Sequence, residues 1–274
     1  MARIRIARDL DALLRFEKVA LRLQRNRRRK GSGRRHRLRR LAGETKRDEV
    51  SVLQDLTFEM KPGESLAVLS RRDIEQESVL RLASGTLLPD EGRVLRSASV
   101  LPMIKVAAVF GGGYTIRQNI FIVGGLLGLT VDEVREFLPS IAEFAGVDQI
   151  LDKYLRNAPG GTRHRLAWAL ATTVPARAFA VHHALVVGER EFRQKCWTRM
   201  DSMREDGVSF LITSDSLKQF RRFCDRAILI DSGTLVAEGD VGSVVSQYRT
   251  LRKLSREEDS AIAPDEEDDR DSLG

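Results

Sequence analysis

The feature that most constrains the fold is an alternation of short apolar runs with amphipathic runs between residues 50 and 237. Residues 65–69 and 178–181 are almost wholly apolar, as buried strands are, whereas residues 131–144 place apolar side chains at helical spacing. This alternation is typical of an α/β protein. We predict a strand at 65–69, a loop from Ser70 to Glu77 and a helix at 78–83. Further strands are predicted at 16–23, 50–60, 208–213, 227–231 and 234–237. Further helices are predicted at 118–157, 165–171, 192–205 and 217–223.

Charge is concentrated at the two ends of the chain. Residues 1–49 contain 18 Lys and Arg against 6 Asp and Glu, whereas residues 256–274 contain 2 against 9, within a net charge of +7. Closely spaced like charges repel one another and stay solvated. We therefore interpret residues 24–49 as an Arg-rich loop insertion and residues 254–274 as an acidic disordered tail. Both segments are compatible with a solubilising function, or with pairing to each other.

Several classes of protein are disfavoured by the sequence. Cys196 and Cys224 form no CxxC pair, which argues against a disulfide scaffold and a zinc ribbon. The first residues lack the apolar core of a signal peptide, because Asp9 and Asp11 interrupt it. Six glycines and Arg117 interrupt the least charged stretch, residues 106–131, so we do not interpret it as a membrane span. A cytoplasmic location is expected.

The order of the scaffold segments resembles the nucleotide-binding subunit of ABC transporters, most closely those that export capsular or other surface polysaccharides. The matching stretches are residues 52–64, 79–85, 88–92, 117–120, 125–129, 187–188, 192–196, 223–230, 237–240 and Tyr248. The resemblance covers residues 15–253 and leaves 1–14 as an N-terminal extension. It implies an α/β fold with a P-loop NTPase-like ABC ATPase core, a helical subdomain at 118–165 and an antiparallel β subdomain.

The family binds ATP and magnesium through a P-loop, GxxxxGK[ST], whose backbone N–H groups surround the phosphates. By this resemblance, Ser70 and Glu75 stand at the two glycines, Gln76 at the lysine and Glu77 at the magnesium-binding hydroxyl, with Ser78 one position later. A carboxylate about 4 Å from a phosphate charge is repelled by about 4 kcal/mol at an effective dielectric constant of 20. We therefore expect neither ATP nor magnesium to bind in the family's manner, and no other cofactor.

The other catalytic positions implied by the resemblance are also altered. His182 and His183 stand where the family has an Asp for magnesium and a Glu for the attacking water, Ser214 replaces a switch histidine, and Lys105 replaces a Gln or Glu. Neighbouring side chains of a strand point to opposite faces, so we expect no shared metal at the two histidines and interpret them as packing or surface residues. No catalytic residue is expected.

The family's signature sequence is partly retained. Gly160 and Gly161 remain, Thr162 follows them, and Pro159 replaces the hydroxyl that would contact a γ-phosphate across a dimer. A weakened contribution to the ATP site of a competent partner subunit remains open.

The sequence is compatible with three functions. The first is a pseudo-ATPase subunit of a polysaccharide exporter, docked on a membrane permease at the cytoplasmic face of the inner membrane, as a homodimer or paired with an active ATP-binding subunit. The second uses residues 25–40 to bind nucleic acid or anionic lipid, although the absence of aromatic residues there argues against sequence-specific nucleic-acid recognition. The third is an ATPase with an altered site built from Asp73, Glu77, Arg72 and Lys105. Enzymatic activity stays open.

Overall fold

A six-stranded sheet forms the centre of the computed structural model, which describes residues 11–25, 48–182, 188–214 and 216–262. The strand order is β5-β6-β7-β3-β8-β9, and all neighbours are parallel except β8 and β9. Every residue of β3, β6 and β7 is buried, as their apolar sequences predict. The strands are β3 (Ser65–Ser70), β5 (Val100–Met103), β6 (Ala178–His182), β7 (Ser209–Thr213), β8 (Arg226–Asp231) and β9 (Thr234–Asp240).

A second sheet of three antiparallel strands packs beside the central sheet in the order β2-β1-β4. Its strands are β1 (Leu14–Arg25), β2 (Asp48–Met60) and β4 (Glu91–Arg96). Arg25 pairs with Asp48, so the Arg-rich segment joins the ends of two adjacent strands. Residues 26–47 lie outside the described part of the chain, and with them nearly all of the predicted basic loop.

Helices cover the central sheet and form a separate layer. They are α1 (Asp73–Ala83), α2 (Ile116–Leu126), α3 (Val131–Ala145), α4 (Thr162–Ala171), α5 (Arg190–Glu205), α6 (Leu217–Phe223) and α7 (Val241–Ile262), with 3-10 turns at Val106–Val109, Asp148–Ile150 and Leu155–Asn157. Thr115 begins α2 and Thr130 begins α3, each in a reciprocal capping box. The helices predicted between 118 and 171 are confirmed.

Three apolar clusters hold these layers together. One joins the antiparallel sheet to α1 and the core strands, and includes the stacked rings of Phe16 and Phe58. A second lies beneath α5, α6 and α7 on the other face of the central sheet. The third is formed mainly by α2, α3 and α4, so the helical layer has its own core.

Two predictions of local structure are wrong. The loop predicted from Ser70 to Glu77 is mostly helix, because α1 begins at Asp73. The tail was predicted to be disordered from residue 254, but α7 extends to Ile262; residues 263–274 are outside the described chain. In the described residues, no helix is both long and apolar enough to cross a membrane.

Candidate functional site

The junction between β3 and α1 is the position at which the resemblance places a P-loop. Only Arg71 and Arg72 separate the last strand residue, Ser70, from the first helical residue, Asp73. The Arg72 N–H donates to the Ser70 hydroxyl oxygen at 2.9 Å, and the Glu75 N–H donates to the Arg72 carbonyl at 3.0 Å. These bonds close the turn early, so the backbone forms a helix where the prediction had an open loop.

Glu75 lies at the centre of this junction and is fully buried. Its carboxylate accepts hydrogen bonds from the Ser70 hydroxyl and from the Arg72 guanidinium, the latter at 2.9 Å. Burial raises the pKa of Glu75 above its ordinary value of 4.5, while the Ser70 hydrogen bond and the Arg72 charge act in the opposite direction. The hydrogen-bond donors at this junction therefore bind a carboxylate of the chain itself.

Gln76 and Ser78 complete the interior of the junction. The Gln76 amide donates to the Ser70 carbonyl at 2.7 Å, and its own oxygen has no hydrogen-bond partner among the described residues. Both side chains are buried. A neutral amide directed back to the strand cannot neutralise a phosphate as an extended lysine would.

ATP and magnesium can be tested against these contacts. A bound phosphate requires backbone N–H groups that point outward and a cation beside them. Here the Glu75 and Gln76 N–H groups both point to the Arg72 carbonyl, at 3.0 and 3.5 Å, and the nearby Arg72 cation is engaged by Glu75. The residues present do not fit a nucleotide in the family's manner.

A second polar cluster includes Asp73 and Glu77, which flank Glu75 in the sequence of α1. His182 Nε2 is 3.3 Å from Asp73 Oδ1, and the Lys105 ammonium is 2.8 Å from Glu77 Oε2. Of these four side chains, Asp73 and Lys105 are the exposed ones, and His182 is buried. The Arg81 guanidinium lies further from Glu77, at 3.9 Å. The structure thus joins His182 to three of the four residues proposed for an altered site, Asp73, Glu77 and Lys105.

Lys105 reaches this cluster because of its backbone conformation. It follows β5 and precedes the 3-10 turn Val106–Val109, with φ of 52°, in the left-handed region. The chain reverses there, and the side chain is directed to α1. Arg72, the fourth residue of the altered-site hypothesis, belongs instead to the Glu75 group.

A cavity of about 640 Å³ opens beside the Asp73 and His182 side chains. Lys105, Arg163 and His164 add polar groups to its wall. The remaining lining is apolar and comes from the segment after β5 and from α4: Met103, Val106, Ala107, Ala108, Ala167 and Trp168. The cavity connects the end of the central sheet with the helical layer.

The signature-like stretch forms the turn that begins α4. Gly161 caps the helix with φ of 79°, which favours glycine. The Thr162 hydroxyl donates to the Pro159 carbonyl at 2.7 Å and is buried, whereas Pro159, Gly160 and Gly161 are exposed. The exposed surface of this turn is therefore two glycines and a proline, without a free hydroxyl from Thr162.

Ser214 and His183 are the remaining altered positions implied by the resemblance. Ser214 is buried, donates to the Gln219 side chain at 2.7 Å and accepts from the Ser216 N–H at 3.0 Å, so it closes the turn before α6. His183 lies outside the described residues, so its interpretation as a packing or surface residue stays a prediction.

Sequence reasoning missed Thr213. Its hydroxyl lies 2.7 Å from His182 Nδ1 and orients the imidazole. Strands were predicted at 178–181 and 208–213, but their pairing was not; in the structure His182 pairs in register with Thr213 at the ends of β6 and β7.

No family model matches the chain. Its relatives include the ABC transporter protein AbcA of Aeromonas salmonicida, 28% identical over 76% of this chain and 67% of AbcA. The teichoic acids export ATP-binding protein TagH of Bacillus cereus is 28% identical over 74% of this chain but only 37% of TagH. The capsule polysaccharide export ATP-binding protein CtrD of Neisseria meningitidis is 26% identical over 73% of this chain and 91% of CtrD.

Among solved structures, the dimeric ATP-binding cassette MJ0796 bound to ADP and Pi superposes with a TM-score of 0.64 at 12% identity, over 83% of this chain and 98% of MJ0796. The chain therefore has the fold of an ABC ATPase cassette, which confirms the predicted α/β architecture with its antiparallel sheet and helical layer. Its homologues are ATP-binding subunits of polysaccharide export systems.

Proposed function

We propose that the chain is a pseudo-ATPase subunit of an exporter of capsular or other surface polysaccharides. Support for the transport system comes from relatives that include teichoic-acid and capsule exporters. Support for lost ATPase function comes from one observation above all, the buried Glu75 carboxylate that accepts hydrogen bonds from Ser70 and Arg72. An anion placed at this junction would meet a second anion rather than free donors.

The same proposal includes the partners. The subunit docks on a membrane permease at the cytoplasmic face of the inner membrane, and it pairs with an active ATP-binding subunit. A homodimer would contain two junctions of the Glu75 type, so neither site could supply the hydrolysis that drives export. The exposed turn at 159–161 remains available to the site of a competent partner.

Calorimetric titration with ATP and magnesium tests the loss of nucleotide binding. The native chain is compared with the triple variant Glu75→Gly, Gln76→Lys, Glu77→Ser, which restores the second glycine, the lysine and the hydroxyl of the family pattern and leaves Ser70 at the first glycine. A second triple variant with Gln76→Ala in place of Gln76→Lys is the matched control, because it removes both carboxylates without adding the lysine. Thermal unfolding checks that each variant is folded.

We expect no binding heat from the native chain at millimolar ATP and measurable binding by the lysine-containing variant. The control should bind more weakly than that variant, because it lacks the cation. Micromolar ATP binding by the native chain would overturn the pseudo-ATPase proposal, since it would show that Glu75 does not obstruct the phosphates.

A further inference from the structure

Asp73, Glu77 and His182 bring three metal-ligand atoms together. Asp73 and Glu77 are four positions apart on α1 and therefore face the same side of the helix. His182 reaches the same point from the end of β6. One carboxylate oxygen from each acid and one imidazole nitrogen all lie within 4.8 Å of one another.

The histidine is oriented as a metal ligand would be. Its Nδ1 atom is 2.7 Å from the Thr213 hydroxyl, and its Nε2 atom is 3.3 Å from Asp73 Oδ1. Metal-binding histidines usually place their second ring nitrogen on such a partner, which holds the ring and selects the tautomer. The side chain of His182 is only 6% exposed and that of Glu77 17%, so packing restricts both.

The cluster already attracts a cation. The Lys105 ammonium lies 2.8 Å from Glu77 Oε2, but its side chain is 66% exposed and is free to rotate into solvent. The Asp73 side chain is 64% exposed, so an ion can reach it from solvent. Asp73 and His182 also line the 640 Å³ cavity, which gives an ion an entry path and leaves coordination positions open.

We propose that Asp73, Glu77 and His182 bind a divalent transition-metal ion directly, without a nucleotide. One imidazole and two carboxylates suit borderline ions such as Zn²⁺, whereas Mg²⁺ and Ca²⁺ prefer oxygen ligands alone. Zinc bonds of about 2.0–2.2 Å place tetrahedral donors about 3.4 Å apart, so the three atoms approach one another when the ion binds. Lys105 competes with the ion for Glu77. His182 takes part without His183, the neighbour considered with it from the sequence.

Titration of the full chain with Zn²⁺ in a non-chelating buffer tests this site. We expect one bound ion. Asp73→Asn and Glu77→Gln should each lower the affinity by more than about 100-fold, which exceeds the loss typical of a residue that only hydrogen-bonds a metal ligand. Thr213→Val, which changes only the orienting partner, should weaken binding by about 10- to 100-fold. Lys105→Met should tighten binding, because it removes the competing ammonium.

Two matched controls separate this site from surface binding. Asp132→Asn removes an exposed carboxylate that pairs with Arg135 on α3, and His164→Gln removes an exposed histidine that lines the same cavity without belonging to the cluster. Neither should change the Zn²⁺ affinity. Binding of Co²⁺ should give a visible absorption spectrum, and Asp73→Asn and Glu77→Gln should each abolish it. The thermal midpoint of the apo protein checks that both variants are folded.

Absence of Zn²⁺ binding would overturn the proposal and identify the cluster as ion pairs only. Affinity that is unchanged in Asp73→Asn and Glu77→Gln would overturn it as well, because the ion would then be bound elsewhere. The metal titration contains no ATP, so its failure is distinguishable from failure of the pseudo-ATPase proposal.

Discussion

Arg96 should be a main determinant of the position of α1, the helix that carries Asp73, Glu75 and Glu77. It ends β4 with 7% of its surface exposed, and burial lowers its pKa. Its guanidinium donates to the Ala83 carbonyl at 2.6 Å and also to the Leu82 carbonyl, at the C-terminal end of α1. A positive charge at that end of a helix is additionally favourable.

Arg96→Met keeps much of the side-chain volume and removes these donors. Each buried carbonyl that loses its donor costs about 1–3 kcal/mol, and loss of the helix-end charge adds about 0.3–1 kcal/mol. Release of a buried charge offsets part of this. We therefore expect the free energy of unfolding to fall by about 3 kcal/mol, seen in urea denaturation as a lower midpoint with an unchanged slope.

Arg93→Met is the matched control, because Arg93 lies on the same strand but is 69% exposed in its pair with Glu17. Its loss should remain below about 1 kcal/mol. If Arg96→Met were no more destabilising than Arg93→Met, the conclusion that Arg96 holds the end of α1 would be refuted.

Two further predictions concern Glu75 and the antiparallel sheet. Because burial raises the pKa of Glu75, the folded chain keeps a proton that the unfolded chain has lost only between pH 4.5 and the folded pKa, above which Glu75 is the carboxylate paired with Arg72. The stability from this proton is complete below the ordinary value of 4.5 and is lost as the pH rises through the folded pKa. The unfolding free energy of the native chain should therefore decline from about pH 4 to about pH 8, and Glu75→Gln should make this decline smaller, by about 1.4 kcal/mol for each unit by which the pKa is raised. A decline identical to that of the native chain would contradict the raised pKa of Glu75. Gly92→Ala should destabilise by about 2–4 kcal/mol in urea denaturation, because φ is 75° and a Cβ atom would lie 2.2 Å from the Lys18 carbonyl oxygen. Gly113→Ala, whose Cβ would meet nothing within 4 Å, should change stability by less than about 0.5 kcal/mol, and equal effects would refute the steric argument.

The start of α1 shows where the sequence pattern was insufficient. Periodicity located the apolar residues from Ser78 onward, but residues 73–77 contain a single apolar residue, Ile74, and so give no helical apolar pattern. The helix forms there because Arg72, Ser70 and Glu75 bond to one another across the turn. Such contacts depend on burial at the end of β3, which a local pattern does not contain.

The C-terminal boundary failed for a related reason. Residues 257–271 are strongly acidic, and charge density alone predicted disorder from residue 254. However, α7 begins at Val241 and packs Val244 and Val245 into the core, and the helix continues as far as Ile262. A helix that is anchored at one end propagates beyond its buried turns, because each added residue makes a hydrogen bond.

The sequence by itself determined the order of most strands and helices, although β4 and β5 were not predicted, together with the resemblance to ABC cassettes and the residue types at the altered positions. Apolar periodicity and local turn residues carry that information along the chain. The tertiary structure alone decided that Glu75 is buried and hydrogen-bonded, and that Asp73, Glu77, Lys105 and His182 meet at one point. The physical reason is that parallel strands bring distant segments to one edge of a sheet, where burial and charge act between residues that are far apart in sequence.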